Sequence, residues 1–275
     1  MQASQTTASV RLSRPIKEMA VLAEARTEAT IKREPRLSLG FAISTDDVVA
    51  AQRLRHRVFV DELGASPTAH SPGREHDMFD PWCEHLVVRD RSCGNVVGTY
   101  RMLTAERALR LGTFCAEREF DLTRLGPLRP QLAEVGRACV DPAYRTGATL
   151  VLLWSGIARL ARERGATHLI GCASISMADG GANAAAVYRH LAPRHLAPVE
   201  YRVFPRSPLA ALEHPTPATS TIPSLINGYL QLGAWIGGEP AWDPEFNTAD
   251  LLMILPLTRL ATRYARHFRQ ERRAA

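Results

Sequence analysis

Apolar residues along the chain follow first a strand pattern, then a helical one, then an alternating one. A short apolar run at residues 37–45 predicts a first strand. Between residues 45 and 64 apolar side chains recur at helical spacing, with Thr45 as a cap and Gly64 at the end, which predicts an amphipathic helix. Residues 85–103 contain two β-branched runs around a Ser-Cys-Gly-Asn turn, so we expect an antiparallel hairpin.

The middle of the chain has a strand, a helix and a second strand in succession. Residues 132–140 predict a strand, 141–148 a turn, 149–165 a long amphipathic helix and 166–175 another strand. A helix that crosses between two neighbouring strands is typical of a parallel pair. The segment before them, residues 104–132, predicts helical or irregular structure.

Changes in apolar pattern and proline content along the chain predict three parts of the protein. Residues 1–36 have no lasting apolar period and predict a mobile basic leader. Residues 37–198 form the predicted main domain, with a further helix at 183–195. Prolines then become frequent, and we expect residues 199–275 to form a helical subdomain that packs on the main domain and ends in a basic amphipathic helix.

Composition narrows the functional classes. The 275 residues are 45% apolar and 23% charged, as in globular proteins. The longest apolar run, residues 251–257, is far shorter than the ~20 residues of a membrane span, and the N-terminus lacks a signal layout, so we expect a cytoplasmic protein. Five cysteines without C-x-x-C spacing predict neither a disulfide framework nor a metal site.

The net charge of +6 comes almost entirely from arginine. A basic surface favours acidic partners in general. The arginines are spread along the chain without interleaved aromatic residues, which argues against nucleic acid.

A basic turn precedes the long helix. Arg145, Gly147 and Ala148 lie at the predicted helix N-terminus, whose unpaired N–H groups and dipole favour an anion. The turn therefore predicts a phosphate site. The alternative is that Gly147 merely permits the turn and that Arg145 is a solvated surface residue.

The order of hairpin, strand, basic turn, helix and strand resembles the core of the GNAT acyltransferases. The resemblance implies a mixed α/β fold with a largely antiparallel twisted sheet flanked by helices, in which splayed strands hold pantetheine and the turn binds phosphate. That family's turn begins with Arg or Gln three residues before its first Gly, whereas Tyr144 stands there in this chain and Arg145 lies two residues before Gly147. The departure indicates a donor that carries one phosphate.

Four motifs resemble the acyl-homoserine-lactone synthases, which take acyl chains from acyl carrier protein. They are "LRHRVFVDELG" (54–64), "EHDMFD" (75–80), "GTYRML" (98–103) and "EVGRACV" (134–140). Matched residue by residue, the functional positions of that family fall on Arg55, Phe59, Asp77, Asp80, Arg101, Glu134 and Arg137.

A second resemblance covers nearly the whole chain after the leader. "FDPWCEHLVV", "CVDPAYR", "LLWSGIARLA" and the C-terminal "PSLINGYLQLGAWIGGEPAWDPEFNTADLL" are similar to the bacterial ornithine-lipid acyltransferases. This implies transfer of a 3-hydroxyacyl group from acyl carrier protein to the α-amine of L-ornithine, giving lyso-ornithine lipid, with no bound cofactor. The alternatives are an N-acyl amino acid or homoserine-lactone synthase, and a catalytically silent binding module.

The requirements of thioester aminolysis suggest roles for the matched residues. Aminolysis of a thioester needs a proton acceptor and groups that stabilise an oxyanion. We expect Glu134 to take the proton and backbone N–H groups from Arg137 onward to meet the carbonyl oxygen. The alternative for Glu134 is a structural ion pair with Arg101 or Arg137. The predicted phosphopantetheine site consists of Val140, Arg145, Gly147 and Ala148.

The amino acid has its own predicted contacts. Asp77 and Asp80 are expected to receive the ornithine ammonium, and Arg55 or Arg101 its carboxylate. Phe59 joins this substrate site through the resemblance. A competing interpretation is that Asp80 caps a turn and Arg55 binds acidic residues of the loop.

Two basic surfaces predict larger partners. Arg159, Arg162 and Arg164, or the leader, are candidates for docking the acidic carrier protein, with a solvated helix face as the alternative. Residues 258–275 combine an apolar stripe with arginines, which suits peripheral contact with an anionic inner membrane. The same stripe could instead pack on the protein core.

Overall fold

The chain folds around one mixed β-sheet, which a computed structural model describes for residues 36–66, 70–145, 147–213 and 220–259. Within these residues the strands are β1 (Leu37–Phe41), β2 (His70–Ser71), β3 (Arg74–Glu75), β4 (Glu84–Asp90), β5 (Val96–Thr104), β6 (Phe120–Asp121), β7 (Leu132–Val140), β8 (His168–Ser176), β9 (Phe204–Pro205), β10 (Trp235–Ile236), β11 (Ala241–Asp243) and β12 (Thr248–Pro256). The α-helices are α1 (Thr45–Arg55), α2 (Ala105–Leu111), α3 (Gly147–Glu163), α4 (Ala182–His195) and α5 (Ser224–Leu232).

The main sheet is largely antiparallel, as predicted. Its strands follow the order β1-β4-β5-β7-β8-β12-β10, and β11 pairs with β12 outside this path. The one parallel pair of this sheet in the described residues is β7 with β8. Helix α3 connects these two strands, because a parallel pair needs a crossover connection. The predicted strand, turn, helix and strand of the middle of the chain are thus confirmed.

Helix α1 begins with a capping box. The hydroxyl of Ser44 accepts the N–H of Asp47 at 3.1 Å, and the Asp47 carboxylate accepts the N–H of Ser44 at the same distance. The cap is therefore Ser44, one residue before the predicted Thr45. The predicted helix over 45–64 is α-helical only in its first part and continues as a π-helical segment, His56–Glu62. Apolar spacing cannot separate these two helix types, and π-turns are frequent at functional sites.

Alternate residues of the strands face two separate cores. On one face α3 packs against the sheet, and the ring of Trp154 meets those of Tyr100 and Tyr229 edge-on at 6.1 and 5.0 Å. The two tyrosine hydroxyls are hydrogen-bonded at 2.7 Å, so each buried polar tip has a partner. Leu252 and Ile254 of β12 face the second core on the opposite side. This second face supports the site described below.

Gly171 lets β7 and β8 approach each other closely. A Cβ added at this position would lie 2.4 Å from the carbonyl oxygen of Val135, a backbone atom that cannot swing aside. Gly171→Ala is therefore expected to lower the free energy of unfolding by about 1–3 kcal/mol, the usual cost of overpacking. Urea denaturation measures this change. Gly40→Ala is the control, because a Cβ on β1 there would have no atom within 4 Å; equal losses in both variants would refute the close-approach argument.

The C-terminal part contributes strands as well as the predicted helical structure. Helix α5 packs against the sheet, but β12 pairs with β8 over nine residues, from Thr248 opposite Ser176 to Pro256 opposite His168. Most of β12 is buried, which explains its continuous apolar sequence. Such a run does not alternate, so periodicity alone could not separate it from a buried helix.

Two predicted segments lie outside the described residues: most of the leader, at 1–35, and the basic terminal helix from residue 260 onward. The division of the chain after residues 36 and 198 therefore stays a prediction. No helix in the part of the chain that is described has both the length and the apolar character to cross a membrane.

Candidate active site

The two parallel strands separate soon after they meet. β7 pairs with β8 only from Leu132 to Glu134, although both strands continue. Further along β7, Gly136 opposes Arg101 of β5, and the register then shifts by an inserted residue, as in a β-bulge. Arg137 lies in this bulge with a φ of +54°, a left-handed backbone conformation that costs energy for a residue other than glycine. The resulting gap between β7 and β8 is where the resemblance to GNAT enzymes predicts a bound pantetheine.

A cavity of about 220 Å³ opens at this gap. Four of the residues predicted from the sequence line it: Phe59, Arg101, Glu134 and Arg137. Phe59 reaches the cavity from the π-helical segment, and its ring meets that of Phe246 edge-on at 5.9 Å. The structure therefore brings together residues from four widely separated parts of the chain.

Glu134 projects from β7 into the cavity lining and is 6% exposed. Its two carboxylate oxygens accept the backbone N–H groups of Cys115 and Ala116 at 2.6 and 2.7 Å. Burial raises the pKa of Glu134 to about 7, against the lowering effect of those two hydrogen bonds and of the Arg101 charge. Its direct partners are thus backbone groups rather than the arginines considered in the sequence interpretation. A carboxyl with this pKa is suited to general base catalysis near neutral pH.

Beside the cavity lies a buried cluster of three arginines and three carboxylates. We call it the ion cluster, and its members are Arg55, Glu75, Asp77, Asp80, Arg101 and Arg137. Positive and negative side chains are equal in number, so their formal charges cancel. Such pairing is what allows charged groups to be buried.

Two arginines of the ion cluster bind its carboxylates through several atoms each. Arg55 contacts Glu75 through Nε at 2.6 Å and both oxygens of Asp80 at 2.9 and 2.5 Å. Arg101 holds both oxygens of Asp77 at 2.6 and 2.7 Å and one oxygen of Asp80 at 2.7 Å. Fork-shaped contacts of this kind fix orientation as well as charge.

Arg137 connects the ion cluster to the cavity. Its Nε lies 3.0 Å from Glu75 and its Nη2 3.3 Å from Asp77, and its guanidinium stands 4.6 Å from the ring centre of Phe246. The side chain is 20% exposed, compared with 1% for Arg55 and 4% for Arg101. Arg137 is therefore the arginine of the cluster that an incoming molecule can reach most readily.

The predicted ammonium site at Asp77 and Asp80 already holds cations of the protein itself. Burial alone would raise the pKa of both carboxyls. The charge and hydrogen bonds of Arg101 outweigh this effect at Asp77, and those of Arg55 and Arg101 outweigh it at Asp80. Both pKa values are therefore lowered. The contacts of Arg55 match the competing interpretation, in which it binds acidic residues of the loop. Glu75 also belongs to this cluster, although sequence reasoning did not select it; its place two residues before Asp77 was the available signal.

Several known proteins are similar to this chain over most of its length. Residues 54–155 match the family model described as an acetyltransferase (GNAT) domain. The chain is 36% identical over 259 residues to an L-ornithine N(alpha)-acyltransferase of Agrobacterium fabrum, with 88% of each chain covered. It is 37% identical over 227 residues to one of Rhodobacter capsulatus, with 78% of this chain and 87% of the relative covered. The chain belongs to the L-ornithine N(alpha)-acyltransferase family.

The predicted family, the GNAT-like fold and the acyltransferase class are thereby confirmed. Among solved structures, this acyltransferase is similar to FeeM, an N-acyl amino acid synthase from uncultured soil microbes. The identity is 11%, the TM-score is 0.48, and the match covers 82% of this chain and 93% of that one.

The predicted phosphopantetheine residues of the acyltransferase lie at the end of β7 and the start of α3. Arg145 donates from Nε to the carbonyl of Val140 at 3.2 Å, and its guanidinium forms a two-point pair with Glu62, each contact 2.6 Å long. Gly147 is the first residue of α3, and Ala148 beside it is exposed. None of these residues is in the cavity lining, so they form a separate group where β7 ends and α3 begins.

Proposed function

We propose that this acyltransferase moves a 3-hydroxyacyl group from the phosphopantetheine thioester of acyl carrier protein to the α-amine of L-ornithine, without a bound cofactor. The observation that carries the proposal is Glu134, a buried carboxyl with a pKa of about 7 at the gap between the splayed strands. The names of four relatives support ornithine as the acceptor. The altered phosphate turn supports a donor with a single phosphate.

In the proposed reaction the neutral α-amine attacks the thioester carbonyl. Glu134 takes a proton from the attacking nitrogen, and backbone N–H groups between Arg137 and Val140 stabilise the oxyanion, since the bulge and the gap remove regular partners from this part of β7. The carbon–sulfur bond then breaks, the amide is released, and the proton held by Glu134 passes to the phosphopantetheine thiolate, which leaves Glu134 ionised again. Atoms and charges balance without a further reactant.

Direct attack by the amine fits the state of the nearby cysteines. Burial raises the pKa of Cys115, which lines the cavity, to about 12, and that of Cys139 on β7 to about 12. Both therefore remain thiols at neutral pH, and a thiol is a poor nucleophile compared with a thiolate. A covalent cysteine intermediate is not part of the proposal.

Arg137 is proposed to hold the carboxylate of the amino acid. It lines the cavity, and its contact with Asp77 is longer than the contacts of Arg101. Arg55 and Arg101 are proposed to act indirectly, because they fix the carboxylates that orient Arg137. Phe59 and Phe246 would form the apolar wall beside this contact.

Arg145 is proposed to release Glu62 and to bind the phosphate of the carrier protein's phosphopantetheine group. Arg145→Gln is expected to raise the KM for acyl carrier protein roughly 10- to 100-fold, the value of a charge-assisted contact, with a smaller change in kcat. Glu62→Gln is the matched variant, because it breaks the same ion pair but leaves Arg145 free. Its KM should stay equal or fall; a rise as large as in Arg145→Gln would show that the ion pair, rather than phosphate binding, matters.

Partner contacts outside the cavity complete the proposal. The acidic carrier protein would dock on the face of α3 that ends with Arg159, Arg162 and Arg164, although Arg159 also contacts Glu163 and Arg164 also contacts Glu84. Peripheral contact with an anionic membrane is proposed for the basic segment after residue 259, which lies outside the described residues.

The decisive experiment is mass spectrometry of the full chain incubated with 3-hydroxyacyl carrier protein and a pool of amino acids, with acyl-coenzyme A in parallel. An acyl-ornithine amide formed only with the carrier protein supports both donor and acceptor. A different amide would move the assignment to an N-acyl amino acid or lactone synthase. Carrier binding without any product would favour a silent binding module.

A further inference from the structure

Part of the cavity wall consists of acidic side chains that do not belong to the ion cluster. Glu119, Asp243 and Asp250 all line it. Asp250 stands on β12 directly opposite Ser174 of β8, while Glu119 follows the turn that supplies the two N–H groups to Glu134. The function proposed above gives these carboxylates no role.

Two oxygens in this wall lack a well-oriented donor in the described structure. Asp250 is 5% exposed and interacts with Glu119, Ser174 and Thr248, but its Oδ1 has no well-oriented hydrogen bond, and neither has Oε2 of Glu119. By contrast, Asp243 accepts the N–H groups of Glu245 and Phe246. An unpaired buried acceptor costs free energy, and such atoms on a cavity wall indicate a missing donor.

The charge balance points to a positively charged donor. The three carboxylates of the ion cluster have three arginines, and Glu134 has two N–H groups, but no arginine among the described residues forms an ion pair with Glu119 or Asp250. Burial and the neighbouring carboxylates raise the pKa of Glu119 to about 9, and burial raises that of Asp250. A cation placed between them would reverse this effect and favour the ionised form of both carboxyls.

We propose that Glu119 and Asp250 form the subsite that binds the side-chain ammonium of the acceptor amino acid. This inference rests on the proposed function, and it moves the ammonium from Asp77 and Asp80 to Glu119 and Asp250. An ammonium group has three donors, and the wall offers Glu119, Asp250 and the hydroxyl of Ser174 as acceptors. The chemical class that fits is a basic α-amino acid.

An organic ammonium fits this wall better than a metal ion. The third side chain near the two carboxylates is Cys172, with the candidate ligand atoms all within 4.8 Å of one another. Burial and its acidic neighbours raise the pKa of Cys172 well above its usual value, so it remains a thiol, whereas metals bind the thiolate. Hard cations such as Mg²⁺ and Ca²⁺ prefer about six oxygen ligands, more than this wall provides.

The subsite also explains how one of two similar amines is selected. Carboxylates around the side-chain amine stabilise its charged form, which has no lone pair and cannot attack a thioester. The α-amine would lie near Glu134, which can remove its proton. The subsite thus keeps one nitrogen charged, while Glu134 makes the other reactive.

The test compares L-ornithine with L-norvaline, which has the same carbon chain without the ammonium group. With wild-type full chain and acyl carrier protein as donor, kcat/KM for ornithine should exceed that for norvaline roughly 10- to 100-fold. In Asp250→Asn and Glu119→Gln this ratio should fall toward one, through loss of activity on ornithine with norvaline turnover retained. Tandem mass spectrometry should also detect side-chain amide in the variants. Glu200→Gln is the control, because Glu200 is exposed and is not one of the residues that line the cavity. This variant should keep the wild-type ratio.

Other results would refute the subsite, the ammonium assignment or the proposed function, as follows. If both variants lose activity on ornithine and norvaline equally, the two carboxylates serve the fold, and the subsite is refuted. If chelation by EDTA removes the ornithine preference and Zn²⁺ restores it, a metal occupies the wall, and the ammonium assignment is overturned. If the wild type acylates ornithine and norvaline equally, only the subsite fails, whereas a wild type that acylates neither refutes the proposed function together with it.

Discussion

Replacing Glu134 with glutamine should lower kcat/KM for acyl transfer by about 10²- to 10⁴-fold, the range that a positioned general base contributes. The amide cannot accept a proton from the attacking amine. Its size is nearly unchanged, so the cavity keeps its shape, but it has one oxygen where Glu134 uses two to bind the N–H groups of Cys115 and Ala116. Steady-state kinetics with the carrier-bound donor measures the effect.

The pH profile separates a catalytic base from a structural carboxylate. Wild-type kcat/KM should rise as the pH passes through about 7, because burial raises the pKa of Glu134 to that value and only the ionised form accepts a proton. A further rise at higher pH is expected as the α-amine of the acceptor itself loses its proton. Glu134→Gln should lose the first rise and keep the second, while Glu200→Gln keeps both. A first rise that survives in Glu134→Gln would identify another group as the base.

Replacing Arg55 with methionine should lower the free energy of unfolding by about 3–5 kcal/mol, because it leaves buried carboxylates without their partner. Arg55 is 1% exposed and contacts both Glu75 and Asp80. Urea denaturation at neutral pH measures the loss. Arg159→Met is the control, since its pair with Glu163 is more than half exposed and should contribute less than about 1 kcal/mol.

The loss in Arg55→Met should depend on pH. The arginines hold the folded-state pKa of Asp80 below its unfolded value, so this carboxylate adds stability above the unfolded pKa and loses it as the pH falls toward the folded one. The difference between wild type and Arg55→Met should therefore shrink below about pH 4. Arg55→Lys, which keeps one charge, should be intermediate. A difference below 1 kcal/mol at neutral pH would contradict the argument.

The sequence predicted those elements whose apolar pattern is strongly periodic. The hairpin β4-β5, the crossover helix α3 and the strands on either side of it appear close to their predicted positions. Three local features could not be predicted: the π-helical turn at His56–Glu62, the left-handed backbone of Arg137, and the strand character of β12. Each depends on tertiary packing, and none has a periodic signature in one sequence.

The arrangement of the candidate site could likewise be predicted from the sequence only in part. Motif resemblance selected five of the six residues of the ion cluster, yet it gave no information on which charges bind each other. That pairing depends on how residues 70–82 fold back on α1, and the backbone partners of Glu134 come from a single short 3₁₀ turn, Cys115–Arg118, which has no periodic apolar pattern. Glu119 and Asp250 were missed because 131 residues separate them, and only the sheet brings them together.

The position of β12 has a consequence for synthesis of the protein on the ribosome. β12 lies between β8 and β10, so β8 receives its second neighbour from a strand that is among the last described segments to be made. Until residue 256 has emerged, β8 presents an unpaired edge, which is the kind of surface that promotes aggregation. Pairing of β8 with β12, and with it assembly of the cavity wall that carries Asp250, must wait for the synthesis of residues 248–256.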